Sequence, residues 1–208
     1  QAIGVGGRDL SDRIGGLMTL HAVRALAEDP QTRVIAIISK PPAAATLPKL
    51  YAALKSVSKP IVIYFIGADA AEIARQGFAA AENLEDAACQ ACRLSAGRDF
   101  AALMDRTEIA RLAVDKRLRA PGIRGLYSGG TLCDEAQRVL LPALKTIHSN
   151  TPVPGAVKLA DIYASTGHSI LDLGDDDFTR GRAHPMIDPE YRKERLVAEC
   201  ADPEVGLI

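Results

Sequence analysis

The chain has 208 residues, of which 48% are apolar and only 4% are aromatic, so one large domain or two small ones can bury an aliphatic core. The formal net charge is −1 and no basic stripe occurs, which argues against a nucleic-acid partner. No apolar run is long enough to cross a bilayer, and neither a signal-peptide pattern nor a disulfide framework appears. These features predict a cytoplasmic protein without a membrane partner.

The first half of the chain predicts strands that alternate with helices. Ala2 to Val5 are expected to end a strand, and a glycine turn then precedes a helix that runs to about Ala27. The β-branched runs Val34 to Ile38 and Ile61 to Ile66 lack alternation, as strands covered on both faces do. The other predicted elements are a helix from Thr46 to Ser56, a weak strand near Phe78 and a helix from Leu84 to Leu94. This order predicts a doubly wound parallel α/β sheet in a first domain of residues 1–95.

The basic segment that follows, residues 96–121, is interpreted as a partly helical linker, and a second domain of residues 122–208 restarts the pattern. Its predicted elements are a strand at Ile123–Tyr127, a turn at Ser128–Thr131, a helix at Leu132–Lys145, a buried strand from Ile170 to Leu173, a helix that Asp188 caps and Pro189 begins, and a strand from Val205. The chain begins without Met and ends inside an apolar run, so both ends are expected to be cuts in a longer protein, which truncates the second domain.

Two stretches of the chain share one order of elements. Each predicts a strand, a glycine-bearing loop, a helix, an Asp-Pro pair and a second strand, with the pairs at Asp29-Pro30 and Asp202-Pro203. We interpret Ile3–Ile38 and Ile170–Ile208 as two copies of one βαβ design. Two related domains would place two helix amino ends around a common ligand.

Three glycine turns precede predicted helices, at Gly4–Asp9, Ser128–Thr131 and Gly174–Arg182. Helix amino ends carry unpaired amides and a partial positive charge, so they bind phosphate or carboxylate, and arginines add bidentate contacts. In α/β proteins such glycines also serve packing alone. The predicted ligand-binding residues are Gly6, Gly7, Arg8, Ser128, Gly129, Gly130, Thr131, Gly174, Thr179 and Arg182.

Two residues of the third turn are candidates for catalysis. His184 is flanked by charged residues and is assigned a general acid–base role or a ligand contact, with the ordering of its loop as the alternative. Asp175 begins a run of three aspartates that could hold Mg²⁺ beside a phosphate, with helix capping as the alternative. No dedicated protein metal site is predicted.

The remaining histidines and cysteines favour ordinary structural roles. His21 is expected in the core or at an interface, and His148 and His168 in solvated loops. Cys89 and Cys92 are expected to be two buried small side chains, because they lie inside a predicted helix. Cys133 follows a glycine turn near a helix amino end, where a thiolate could be stabilised.

Several strings resemble known enzymes. Gly4-Val5-Gly6-Gly7 and Lys59-Pro60 before an apolar strand resemble the ligase domain of the succinyl-CoA synthetase α-subunit, and Leu171 to Ile208 is similar to the corresponding β-subunit domain. The set is closer still to the FdrA-type acyl-CoA synthetase-like proteins. The strings that carry this resemblance are Gly6 to Leu10, Ser39 to Pro42, Gly125 to Leu132 and Asp172 to Pro189.

The resemblance implies two flavodoxin-like ligase domains, a nucleotide- or CoA-binding domain upstream, and CoA as a possible cofactor. Succinyl-CoA synthetases also carry a phosphorylated histidine after the strand that matches Ile61 to Ile66, but Gly67 to Ala81 contains no His here. They place a Glu where this chain has Ser39 and Lys40. The phosphohistidine relay is therefore expected to be absent.

Three hypotheses follow for the function. The first is an acyl-CoA synthetase subunit that handles phosphate and acyl groups at the junction of two ligase-type domains. The second, from the FdrA-type resemblance, is an oxamate carbamoyltransferase subunit of purine-nitrogen catabolism. The third is a docking module without chemistry. All three predict other subunits or self-association, and the first two predict a small phosphorylated or acyl substrate.

Overall fold

The computed structural model describes residues 1–98, 106–113 and 118–208, which form two compact units, Gln1–Arg106 and Thr107–Ile208. Each unit is built around a parallel sheet. The predicted α/β class with parallel sheets is confirmed. The predicted domain limits at residues 95 and 122 stay a prediction, and residues 99–105 and 114–117 of the linker lie outside the described part.

The first unit alternates helices with three strands in the order β1-β2-β3, all parallel. Strand β2 is buried along its whole length because its side chains alternate between two clusters: Ile61, Ile63 and Phe65 enter one, and Val62 and Tyr64 enter the other. Its elements are α1 Leu17–Glu28, β1 Ile35–Ser39, α2 Leu47–Leu54, β2 Ile61–Phe65, α3 Ala70–Arg75, β3 Ala79–Ala80 and α4 Leu84–Ala96.

The structure corrects the sequence-based prediction at two places in this unit. Residues 2–5 form no strand in the described structure, and Ala2 and Ile3 are exposed, so Ile3–Ile38 is not a complete βαβ copy. Strand β1 is not covered on both faces, because Ala36 is exposed and Ile38 keeps 45% of its surface accessible to solvent. A β-branched run at a sheet edge therefore looks like a central strand in sequence.

The second unit holds a five-stranded parallel sheet in the order β6-β5-β7-β4-β8. Helix α6 packs on one face, where Cys133 meets Ile170, and α7 and α8 pack on the other, where Phe178 and Tyr191 meet Leu171. The elements are α5 Arg106–Ala113, β4 Gly122–Tyr127, α6 Gly130–Leu144, β5 His148–Ser149, β6 Val157–Lys158, β7 Ser169–Asp172, α7 Asp176–Thr179, α8 Glu190–Ala201 and β8 Val205–Leu207.

The helix starts of this unit follow local chemistry. The Asp188 carboxylate accepts a hydrogen bond from the Glu190 amide at 3.1 Å, but the N-cap is Pro189 rather than the predicted Asp188, and α8 begins one residue later than predicted. Pro142 lies in the last turn of α6 without ending it before Leu144. No helix in the described residues is long and apolar enough to cross a membrane.

Candidate functional site

The loops after β4 and β7 leave neighbouring strands in opposite directions. The chain runs from β4 through α6 to β5 on one side, and from β7 through α7 and α8 to β8 on the other. Parallel α/β sheets bind ligands at the carboxyl ends of strands where connections diverge in this way. We call residues 128–131 together with 173–175 the β4–β7 switch point.

The strand ends bring two of the predicted glycine turns together. Tyr127 pairs with Asp172 in the sheet, and the Leu173 amide donates to the Tyr127 carbonyl at 2.7 Å. The turn that starts at Ser128 and the turn at Gly174 therefore lie side by side. A Cβ on Gly174 would come within 3.0 Å of the Ser128 carbonyl oxygen, so glycine is required for this close approach.

The amino end of α6 lies at this switch point without a side-chain cap. Its N-cap is Gly129 in an extended conformation, no side chain accepts a bond there, and no acidic residue occupies the first turn. The first-turn amides and the positive end of the helix dipole are therefore available to an anionic ligand. Gly129, Gly130 and Thr131 of the predicted binding set supply this end.

The loop before α8 places His184 at the β4–β7 switch point. A Cβ on Gly174 would lie 2.5 Å from the His184 Nε2 atom, so the imidazole rests directly against the Gly174 backbone. The His184 Nδ1 atom accepts the Met186 amide at 3.2 Å, and its carbonyl accepts the amides of Ile187 and Asp188. The ring thus contacts its own loop, as one of the roles predicted for it requires.

One arginine that the sequence analysis missed reaches this arrangement, whereas the predicted Arg182 contacts a tyrosine. Arg192 Nη1 donates to the Ser128 hydroxyl oxygen at 3.1 Å, although the two residues are 64 positions apart. Arg182, which was predicted, lies over the Tyr191 ring with its guanidinium carbon 4.8 Å from the ring centroid. The only sequence signal for Arg192 was its place in the first turn of a helix that follows a glycine loop.

The aspartate run has a structural role in this structure. Asp175 caps α7 by accepting the Asp177 amide at 3.1 Å, and the Thr179 hydroxyl donates back to the Asp175 carbonyl at 3.1 Å. The Asp177 carboxylate lies 3.8 Å from the Lys158 ammonium. Among the described residues, no group of three His, Cys, Asp or Glu side chains could hold a metal ion. The catalytic role of Asp175 and the Mg²⁺ site stay predictions.

The glycine turn of the first unit differs, because a protein carboxylate already occupies the helix end behind it. The buried Asp9 side chain accepts the amides of Met18 and Thr19 at 2.9 and 2.8 Å, and the Thr19 hydroxyl at 2.6 Å. Burial alone would raise the pKa of Asp9, but these hydrogen bonds outweigh burial and lower it. A ligand bound by Gly6, Gly7 and Arg8 through the amino end of α1 would have to displace this carboxylate.

Several single-residue expectations are wrong. Cys133 is fully buried, and burial raises the pKa of its thiol to about 11, so no stabilised thiolate forms there. Cys92 is exposed rather than buried, and His21 is exposed rather than in a core, although its alternative place at an interface stays a prediction. His148 and His168 are half-buried, and neither Nδ1 atom has a hydrogen-bond partner in the described structure.

A separate cavity of about 400 Å³ lies in the first unit at the amino end of β2, with Leu54 and Phe78 among its lining residues. The Lys59 ammonium beside it already donates to the carbonyls of Leu26 and Asp29 at the end of α1. Parallel α/β sheets bind ligands at the carboxyl ends of their strands, so this cavity is not at a typical ligand site.

Comparison with known proteins finds a family similarity within the second unit. Residues 126–208 match the family model of CoA-ligase. This match relates the unit to the ligase domains of succinyl-CoA synthetase-like enzymes, and it includes the whole β4–β7 switch point. The chain is also 43% identical over 212 residues to the uncharacterized protein YahF of Escherichia coli (strain K12). That alignment covers 100% of this chain and 41% of YahF, so the chain spans about two fifths of this relative.

Proposed function

We propose that the chain is part of an acyl-CoA synthetase-like ligase and that its second unit binds the phosphate or carboxylate group of a substrate. The observation that carries the proposal is the uncapped amino end of α6 at the β4–β7 switch point, inside the segment that matches CoA-ligase. The Arg192 guanidinium at Ser128 adds a cation to the same place. CoA is the cofactor that this family relation favours.

The FdrA-type resemblance gives a second candidate, an oxamate carbamoyltransferase subunit. It is favoured by the absence of histidine from residues 67–81, because a phosphohistidine relay has no residue to act through there. Carbamoyl phosphate would present the same terminal phosphate oxygens to the switch point as an acyl phosphate. Association with other subunits or with a second copy, a ligand shared by turns of both units, and a cytoplasmic location stay predictions.

Calorimetric titration of the whole protein with inorganic phosphate, CoA and carbamoyl phosphate tests both candidates. We expect Thr131→Asp to weaken phosphate binding by about tenfold or more, since its carboxylate would occupy the α6 amino end and repel the ligand. The matched control is Pro48→Asp, which places an aspartate in the first turn of the uncapped helix α2. This variant should leave phosphate binding unchanged.

The three ligands separate the hypotheses. Binding of CoA with phosphate supports the acyl-CoA synthetase, and binding of carbamoyl phosphate with turnover of oxamate supports the carbamoyltransferase. Absence of heat and of a melting shift with every ligand would reject both and leave the docking module. Equal binding by wild type and Thr131→Asp would place the ligand away from α6.

A further inference from the structure

One imidazole nitrogen at the β4–β7 switch point has a partner and the other has none. His184 Nδ1 accepts the Met186 amide at 3.2 Å. In the described part of the chain, no group accepts a hydrogen bond from Nε2, which lies against Gly174 beside the Ser128 carbonyl. The half-buried ring therefore offers exactly one unused polar atom, at the point where the two loops diverge.

The bond at Nδ1 determines where the proton of the neutral ring lies. A backbone N–H can donate only to a nitrogen with a lone pair, and a neutral imidazole carries a single N–H. Nδ1 is therefore the acceptor and Nε2 carries the proton. In this state Nε2 can donate a hydrogen bond, but it can neither accept a proton nor attack a phosphorus or carbonyl atom.

The loop fixes this orientation of the ring. The His184 carbonyl accepts the amides of Ile187 at 2.8 Å and Asp188 at 3.0 Å, so the turn closes on the residue that carries the ring. On the other side, the missing side chain of Gly174 makes the space for Nε2 and Cε1, which a Cβ would approach to 2.5 and 3.1 Å. Rotating the ring to present Nδ1 instead would break the bond to Met186.

We propose that His184 binds a ligand oxyanion as a hydrogen-bond donor through Nε2, and that it acts neither as general base nor as phosphoryl acceptor. The inference rests on the proposed function and narrows it to ligands with a terminal phosphate or carboxylate oxygen. The Nε2–H group, the α6 amides and Arg192 then supply three kinds of donor from three segments to one anion. This role replaces the general acid–base alternative predicted from sequence.

Long-range nitrogen-15 NMR of the histidine-labelled protein tests the protonation state without any ligand. We expect the His184 signals to show the Nε2–H tautomer, with the assignment made by their loss in His184→Gln. The Nδ1–H tautomer would overturn the inference, because Nε2 would then be an acceptor.

Titration with inorganic phosphate and with succinate tests the donor role and distinguishes the two anion classes. We expect His184→Ala to weaken binding of the recognised anion by about tenfold or more, the range given by a hydrogen bond to a charged group. His184→Gln places an amide N–H near the Nε2 position and should stay within about twofold of wild type. Gly174→Ala should match His184→Ala, because its Cβ would displace the ring.

His21→Ala, at an exposed position of α1, is the control and should leave binding unchanged. Wild-type affinity in His184→Ala would overturn the donor role while the proposed anion site survives. Failure of the wild type to bind either anion would overturn the proposed function and this inference with it. The NMR measurement of the His184 tautomer does not depend on ligand binding.

Discussion

At the level of single residues, Cys133 shows two opposing effects on one side chain. It lies in the first turn of α6, where the helix dipole favours a thiolate, but it is fully buried between α6 and β7. Burial is the largest influence and raises its pKa to about 11, against weaker lowering by hydrogen bonds from Thr151 and Gln137. Desolvation of the Cys133 thiol therefore outweighs the effect of the helix dipole.

This burial predicts how three of the four cysteines react. At about pH 8 a thiol of pKa about 11 is roughly one-thousandth ionised, and the folded structure also shields Cys133 from reagents. We expect exposed Cys92 and Cys200 to be alkylated quickly and Cys133 only after unfolding. Peptide mapping by mass spectrometry measures this, and native labelling of Cys133 at the rate of Cys200 would contradict the structure.

At the level of elements, a buried ionic network attaches α8 to the sheet. Glu199 accepts Arg124 Nε at 2.7 Å and Arg195 Nε at 2.7 Å, and it also accepts the Ser165 hydroxyl. Arg124 in β4 reaches Asp202 at 3.0 Å and the Gly167 carbonyl. Because every charge has a partner, the network orients α8, which carries Arg192 to the switch point.

The network makes a strong prediction for stability. Removal of one charge from a buried pair leaves the others uncompensated, so Glu199→Ala should lower the free energy of unfolding by about 3–5 kcal/mol. Glu108→Ala on α5 removes an exposed pair with Arg111 and should cost about 0–1 kcal/mol. Urea unfolding measures both, and equal losses would show that the burial of Glu199 does not matter.

The helix amino ends also differ as elements. Those of α1, α3, α4 and α7 receive Asp9, Asp69, Asn83 and Asp175, whereas those of α2 and α6 receive no capping side chain. A capped end has its amides satisfied within the protein, so it loses part of its capacity for ligands. Among the predicted glycine turns, this contrast favours the turn before α6 over the turn before α1 as the place of anion binding.

At the level of the whole molecule, carboxylates with lowered pKa values occur in both units. Hydrogen bonds from Thr32 and Gln31 lower the pKa of Asp29, and a bond from the Glu204 amide followed by Arg124 lowers that of Asp202. Burial would raise the pKa of Glu199, but bonds from Ser165, Arg195 and Arg124 lower it. These charged forms are thus favoured in the folded state.

The sign of the pH dependence follows from these shifts. A carboxylate whose pKa is lower when folded stabilises the protein above its unfolded pKa, and this contribution is lost as the pH falls through the folded value. With unfolded values near 3.8 for Asp and 4.5 for Glu, we expect the melting temperature to fall as the pH decreases from about 4.5 to 3. Calorimetry measures this, with Asp9→Asn as the variant whose fall should be shallower; a constant melting temperature down to about pH 3 would contradict the assignment.

The sequence by itself determined the strands β2, β4 and β7, the glycine turns, and the start of α8 to within one residue, because apolar runs and turn residues act between near neighbours in the chain. The same local rules failed at residues 2–5, where apolar side chains gain strand structure only if another strand pairs with them.

Only the tertiary structure decided which turn is open to a ligand. Strand order sets the divergence of the loops after β4 and β7, Asp9 fills the end of α1, and Arg192 meets Ser128 across 64 residues. The contact of His184 with Gly174 and its bond to Met186 likewise depend on how the loop before α8 closes. These features rest on long-range packing and side-chain hydrogen bonds, which residue types and short-range spacing do not specify.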